Sequence, residues 1–409
     1  MKNKQRDMQL QSYTCNFVNA QKDIPVGTNH LQTILAKKQQ EKILNLFHAD
    51  ENLWNNWHWQ INNRICSVQT LSQILPLSDN EIQCIKKVES YFRWAISPYY
   101  ISLINPQNPQ DPIRKIAIPD IKELSADGEF DPMDEAGHNP TGAITRRYPD
   151  RLIINVTNAC GSYCRHCQRR RNIGTQDFVT GQDKIAQSIQ YIKEHTEIRD
   201  VLITGGDPLT LEDDVLIKIV AEIRSIPHVE IIRIGTRMPV VVPQRITEDL
   251  VNGLKQYHPI YINMQFNHPQ EITPQSTYAC NLLADNGFVL GNQMVLLNGI
   301  NDDKYVVQLL NQNLLKIRIR PYYIFHAKNI IGTTHFRTSI QTGLDIMKHL
   351  RGNTSGLAIP TYVLNAPRGA GKIPLNYRNY QELSDGNILF ETWEGKKIIL
   401  SKDGSLVNE

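Results

Sequence analysis

From Leu152 onward the chain alternates between two hydrophobic periods. Short apolar runs at 152–156, 201–204, 229–235, 259–266, 288–297 and 317–325 are each long enough for one strand. Between them, near 182–196, 212–225, 246–257, 272–286 and 303–316, apolar residues recur at helical spacing. Six buried strands separated by helices predict right-handed βα units and a parallel sheet. Six units are too few to close an eight-fold barrel. The pattern therefore predicts an α/β fold, a partial (βα)6 barrel over residues 151–337, curved and partly open, with its site at the carboxyl ends of the strands.

The flanks read differently. Residues 1 to about 26 are polar without a clear period and read as an irregular arm. Leu31, Ile34, Leu35, Ile43, Leu44 and Phe47 recur near helical spacing and predict a helical N-terminal region within residues 1–104. Trp54, Trp57 and Trp59 read as core or subunit-interface anchors, because large aromatics dominate buried area. Ser78 followed by Glu81 has capping-box spacing and predicts a helix running to about Ile96, ended by Pro98. Residues 105–150, rich in Pro, Asp and Gly, read as an ordered linker over a surface. Residues 338–409 form a C-terminal segment: a helix Ile340–Leu350, a strand-like run Ile359–Leu364, a glycine-containing loop ending at Lys372, and a small antiparallel hairpin within 386–406. There is no tandem repeat and no low-complexity tract.

Composition narrows the class. At 409 residues, 41% hydrophobic and 21% charged, the chain has the make-up of a soluble globular protein. A net charge of +3 is too small to imply a nucleic-acid partner. No apolar run approaches the roughly 20 residues of a membrane span, and the polar start argues against secretion. The expectation is a cytoplasmic protein with no membrane partner. Of seven cysteines, Cys15, Cys66, Cys84 and Cys280 are scattered and read as single buried thiols in a reducing compartment.

The other three cysteines carry the chemistry. Cys160, Cys164 and Cys167 stand in the order C-x3-C-x2-C directly after the first strand. An odd count excludes a closed disulfide framework, and structural zinc wants four ligands where the nearest fourth, His166, is awkwardly adjacent to Cys167. Three thiolates on one loop suit an iron–sulfur cluster with one iron left open. This spacing after a first strand resembles the signature of the radical S-adenosylmethionine (SAM) enzymes, which implies a [4Fe-4S] cluster whose open iron chelates the amino and carboxylate groups of SAM.

Two further loops need context. Gly205-Gly206-Asp207 ends the second strand; alone it is an ordinary turn, although paired glycines let backbone approach a ligand and Asp207 could accept from an ammonium. One βα unit after the cysteines, it resembles the glycine motif with which radical SAM enzymes contact the methionyl amine. The loop Asn365-Ala-Pro-Arg-Gly-Ala-Gly-Lys-Ile-Pro374 lacks the hydroxyl residue and early glycine of a P-loop. Lys372 is then either a solvated charge or a lysine that carries pyridoxal phosphate (PLP) as a Schiff base.

Here the resemblance becomes specific. Trp57-His-Trp-Gln, Asn63-Arg-Ile, Ser97-Pro-Tyr-Tyr, Arg147-Tyr-Pro-Asp-Arg, Cys164-Arg-His-Cys, Arg320-Pro-Tyr-Tyr, His335-Phe-Arg-Thr and the Lys372 loop resemble, in one order, the lysine 2,3-aminomutase family of radical SAM, PLP-dependent enzymes. The resemblance implies that Lys372 carries PLP, that Arg147 and Arg151 hold its phosphate, that Tyr148 lies beside its ring, and that Arg169 grips the substrate α-carboxylate. Without it, Arg169 to Arg171 would read as a solvated basic run. The lysine enzymes hold their substrate's distal ammonium with two aspartates; this chain has Lys328 and Asn365 in those places. That pair resembles the glutamate 2,3-aminomutase branch and implies transfer of the amino group of L-glutamate from C2 to C3. The resemblance also implies a homo-oligomer and an electron donor of flavodoxin or ferredoxin type. With no cysteine after Cys280, the intersubunit zinc group of the lysine enzymes is not expected, and the effect of Arg368 in the Lys372 loop stays open. Rival readings are a lysine or other amino-acid aminomutase, a radical SAM enzyme without PLP, and an iron–sulfur electron carrier.

Overall fold

Alternation within each strand decides which way the sheet faces. In the computed structural model, which describes residues 2–408, the strands are β1 Ile144–Thr145, β2 Arg151–Asn155, β3 Asp200–Thr204, β4 Ile231–Gly235, β5 Ile260–Met264, β6 Val289–Leu296, β7 Arg320–His326, β8 Thr361–Asn365 and β9 Lys372–Pro374. They lie in chain order in one sheet, parallel from β2 to β8, with β1 and β9 antiparallel at its two edges. The edges are not paired with each other, so the sheet is an open, curled barrel. Leu152, Ile154, Val201, Ile203, Ile232 and Ile234 are buried in one core with Ile189, Ile192, Leu216, Val220 and Leu254 of the flanking helices. Each such side chain contributes about 1.5–3 kcal/mol by burial. The alternate positions, among them Ile153, Leu202, Gly235 and Asn263, face the inside of the curl and line a cavity.

The partial barrel is therefore as expected, with a seventh parallel strand. The run at 359–364 becomes β8 and joins β7, and β9 folds back on it, so the C-terminal segment completes the sheet.

Several expectations are corrected. Lys2–Ala20 is a helix rather than an irregular arm; Met1 lies outside the described residues. Most of it is exposed, its contacts including Tyr13 edge-on to Trp393 at 5.3 Å, Phe17 near Tyr305 at 6.2 Å and Arg6 paired with Glu394 at 2.5 Å, which is why no apolar period marks it. The capping box of Ser78 and Glu81 is present, but the helix stops at Glu89. Ile96 instead exchanges backbone hydrogen bonds with Ile65 at 2.7 and 2.9 Å, and Pro98 opens a new helix capped by Ser97. The C-terminal hairpin is a four-stranded antiparallel sheet: β10 Tyr380–Glu382, β11 Ile388–Glu391, β12 Lys397–Leu400 and β13 Leu406–Asn408. Cys15 and Cys66 are exposed and Cys84 is half-buried, leaving Cys280 as the one buried thiol of the four scattered cysteines. Trp54 is buried, while Trp57 and Trp59 are partly so, Arg245 lying 4.4 Å over the Trp57 ring.

The stretch 105–150 does more than cover a surface. Ile113 and Ile116 are fully buried, and Glu123 is a buried carboxylate that accepts from Arg165 at 2.9 and 2.6 Å and from Arg170. Burial would raise the Glu123 carboxyl, yet Arg165 and Arg170 hold it below the ordinary range. Its stabilising charge is thus complete at neutral pH and is lost on acidification below that range. Removing one partner of a buried pair costs about 3–5 kcal/mol. Glu123→Ala, which strands two buried arginines, is expected to cost that much, read as a lower urea midpoint.

Candidate active site

The cavity at the carboxyl ends of the strands has a volume of about 1400 Å3 with its open mouth included. On one side it meets Cys160, Cys164 and Cys167, with Gly205, Gly206 and Asp207 beside them; on the other it meets Arg147, Arg169, Lys328, Asn365 and Lys372. Tyr148 and Arg151 stand behind Lys372: the Tyr148 hydroxyl accepts from the Lys372 amide at 3.0 Å, and Arg151 stacks over the Tyr148 ring at 3.9 Å.

The cysteine loop is closed at its base by Asn158, whose side chain donates to the carbonyls of Ile173 and Gln176 at 2.9 Å each and accepts from the Phe178 amide at 2.7 Å. From outside, Arg64 donates to the Cys160 carbonyl at 2.6 Å, and the amides of Tyr163 and Arg165 donate to Ala95 and Ile116. Arg237 donates to the Cys164 sulfur at 2.7 Å and the Arg169 amide to the Cys167 sulfur at 3.4 Å. Burial, with neighbouring thiols, raises Cys160 and Cys167. Among the described residues no three His, Cys, Asp or Glu side chains converge on the spacing of a single ion. A cluster, bridged by its own sulfides, spreads its ligands more widely, and three thiols with donors on two of the sulfurs fit it. His166 is buried with neither ring nitrogen partnered, and burial pushes its pKa down to about 3, so the ring is neutral.

At Gly205-Gly206-Asp207 the close approach is made to the protein itself. A Cβ on Gly205 would stand 2.2 Å from the Thr157 carbonyl, and one on Gly206 2.3 Å from that of Ala159. Asp207 accepts from the Thr236 hydroxyl at 2.7 Å and from the amides of Arg237 and Leu209 at 2.6 and 3.1 Å. These bonds tie the end of β3 to the loop after β4.

Lys372 opens β9 directly opposite Asn365 at the end of β8. The turn between them needs Gly369 at φ +74° and Gly371 at φ +96°, conformations that side chains resist. Arg368 points out of the cavity, 73% exposed, and pairs with Glu129 at 3.2 Å. The Lys372 ammonium lies on the open cavity wall, 5.4 Å over the Tyr148 ring and 5.8 Å from that of Tyr323. Its packing there, with Arg233, Arg151, Arg147 and Arg169 around it, pushes its pKa down to about 8.

Charge is the main feature of this half. Arg169 and Arg171 are mostly buried and paired with Glu135 rather than solvated, and Lys328 faces the cavity instead of bulk water. The Arg147 Nε is buried without an acceptor. Glu135 is the carboxylate that Arg147, Arg169 and Arg171 share, Arg171 pairing with Asp131 as well: burial would raise it, but Arg169, Lys328, Arg147 and Arg171 push it down to about 2. Lys328 is lowered to about 8 by burial, with Glu135 opposing and Arg169 and Arg147 reinforcing the shift. An excess of cations with an orphaned arginine donor fits an anionic ligand bearing phosphate and carboxylate groups. The sequence reading missed Glu135, Arg233 and Arg237. Arg233 was visible as a polar residue inside an apolar strand; Glu135 sits in a turn-rich stretch without period.

The family described as Radical SAM superfamily matches residues 154–310, and the family described as Lysine-2,3-aminomutase matches residues 347–400. The chain is 53% identical over 395 residues to the glutamate 2,3-aminomutase of Clostridioides difficile, covering 96% of this chain and 93% of that one. This chain belongs to the lysine 2,3-aminomutase family. Further relatives in the lysine 2,3-aminomutase family are the L-lysine 2,3-aminomutases of Clostridium subterminale, 48% identical over 84% of this chain and 83% of that one, and of Acetoanaerobium sticklandii, 46% identical over 85% and 84%. Membership of the radical SAM superfamily implies a [4Fe-4S] cluster and SAM. No helix among the described residues is long and apolar enough to cross a membrane.

Proposed function

We propose that this chain is a glutamate 2,3-aminomutase, an isomerase that moves the amino group of L-glutamate from C2 to C3 and yields 3-aminoglutarate. The observation that carries the substrate assignment is the cavity wall formed by Lys328 and Asn365, a cation and a neutral amide. A substrate ammonium facing Lys328 would meet a like charge, a juxtaposition that costs several kcal/mol. A distal carboxylate is complementary to it.

When bound, the cluster with SAM supplies a hydrogen-abstracting radical, and PLP supplies the conjugated nitrogen carrier for the migrating group. The residues hold and orient. Cys160, Cys164 and Cys167 ligate the cluster, with the Gly205-Gly206-Asp207 turn beside the SAM site. Lys372 anchors PLP; at a pKa of about 8 roughly a tenth of its amine is uncharged, and so nucleophilic, at pH 7, far more than for a lysine at its ordinary value. Arg147, with its unpartnered Nε, and Arg151 hold the phosphate, and Tyr148 flanks the ring. Arg169 pairs the α-carboxylate through its planar fork, which fixes rotation about the Cα bond. Lys328 takes the distal carboxylate and Asn365 donates to it. Two anchors at opposite ends leave the carbon chain one orientation relative to the cluster side of the cavity. We further read the enzyme as a cytoplasmic homo-oligomer reduced by a flavodoxin- or ferredoxin-type donor.

The test is anaerobic incubation of the reconstituted, reduced enzyme with L-glutamate, L-lysine and L-arginine separately, with products read by NMR. 3-Aminoglutarate from glutamate is the expected result. Turnover of lysine in preference to glutamate overturns the assignment.

A further inference from the structure

Four cations in and beside the cavity gather about one carboxylate that no motif marks. Arg147 donates to Glu135 Oε1 at 2.8 Å, Arg169 Nε lies 3.4 Å from the same oxygen, and Arg171 Nη2 lies 3.5 Å from Oε2. Lys328 is the fourth, within electrostatic reach across the cavity. Glu135 is itself 4% exposed. We propose that Glu135 is a positioning residue for substrate recognition: it holds Arg169 and Lys328 in the arrangement that receives an amino acid with a carboxylate at each end.

The geometry of Arg169 supports this. Its Nε lies 3.4 Å from Glu135 and its Nη1 donates to Asn155 Oδ1 at 3.3 Å, so two of its three nitrogens are held by the protein while the residue lines the cavity. A guanidinium fixed in this way loses little freedom on binding a carboxylate. Lys328 is surrounded by Arg147 and Arg169, with Cys167 nearby and Glu135 as the carboxylate that offsets their repulsion. Without that carboxylate the cations push one another apart, and the long lysine side chain is the one free to swing away.

The strap that carries Glu135 is tied to both ends of the substrate site. Glu129 pairs with Ile330, its amide donating to Asn329 at 2.9 Å while the Ile331 amide donates to it at 3.1 Å, just beyond Lys328. Three residues before Glu135, the Pro132 carbonyl accepts from the Arg368 amide at 2.8 Å, and Arg368 closes the link through Glu129. Arg171 is held by Asp131 at 3.3 Å on the same strap. One short segment therefore locates the lysine that reads the distal group, the loop of Lys372, and the carboxylate between them.

This inference rests on the assignment of Arg169 and Lys328 above. The test is Glu135→Gln, which keeps the shape and removes the charge, in enzyme carrying cluster and PLP at wild-type content. The KM for L-glutamate is expected to rise about tenfold or more with kcat within about threefold, because the lost interaction serves binding. The dissociation constant of L-glutamate, read from the shift of PLP absorbance in SAM-free enzyme, is expected to rise in parallel, and Glu135→Asp is expected to recover part of both. An unchanged KM, or a fall in kcat at unchanged KM, overturns the proposal. Failure of the substrate assignment is seen separately, in the wild type, as preference for lysine; failure of the present inference is an unaltered KM in Glu135→Gln for whichever amino acid the wild type converts.

Discussion

Lys372→Ala is expected to lower aminomutase turnover by on the order of 10³-fold or more and to abolish the visible band that lysine-bound PLP gives, with iron and sulfide content unchanged. The side chain sits at the start of an edge strand whose backbone is pinned by the Tyr148 hydroxyl and paired with Asn365, so alanine removes the amine without unseating the loop. Loss of the band with retained iron separates this from unfolding; a variant that still shows a borohydride-sensitive band would refute the role of Lys372. The lowered pKa gives a second readout. For a lysine brought down to about 8, the uncharged amine grows as pH rises through 8, so the rate at which apoenzyme takes up PLP is expected to climb over pH 7–9 and level off above.

The second large effect is a reversal of the tail-reading charge. Lys328→Asp with Asn365→Asp converts the wall from cation and amide to two carboxylates. Close like-charge contacts cost several kcal/mol, so kcat/KM for L-glutamate is expected to fall by about 10³-fold and turnover of L-lysine to appear or rise. The two positions share one ligand group, so their effects are expected to be non-additive, and the single variants measured beside the double give the coupling. Retained glutamate activity in the double variant would show that the distal carboxylate is read elsewhere.

How much of this was legible in the chain depended on periodicity. The βα units announced themselves because each strand is buried on its helix-facing side by alternate residues such as Leu152 and Ile154, and the capping box of Ser78 and Glu81 is a local signal that tertiary context left intact. The helix at Lys2–Ala20 was illegible because most of its side chains are exposed and no apolar face is buried. The seventh parallel strand was visible as an apolar run, but nothing local says that residues 361–365 pair with β7, since pairing partners are a tertiary choice. In the site, the cysteines and Lys372 were found by spacing and resemblance. Glu135 and Glu123 were not, because a single acid in a turn-rich stretch carries no signal until the fold surrounds it with arginines.

The antiparallel pairing of β8 with β9 places Lys372, the proposed cofactor anchor, and Asn365, the proposed tail-reading amide, at the two ends of a single rung. In such a ladder a one-residue slip turns every side chain to the other face. Lengthening or shortening the 366–371 turn by one residue would shift β9 against β8 and take Lys372 out of register with Asn365, so a longer or shorter amino acid is best accommodated by altering the segment just after β7, which carries Lys328, while leaving that turn untouched.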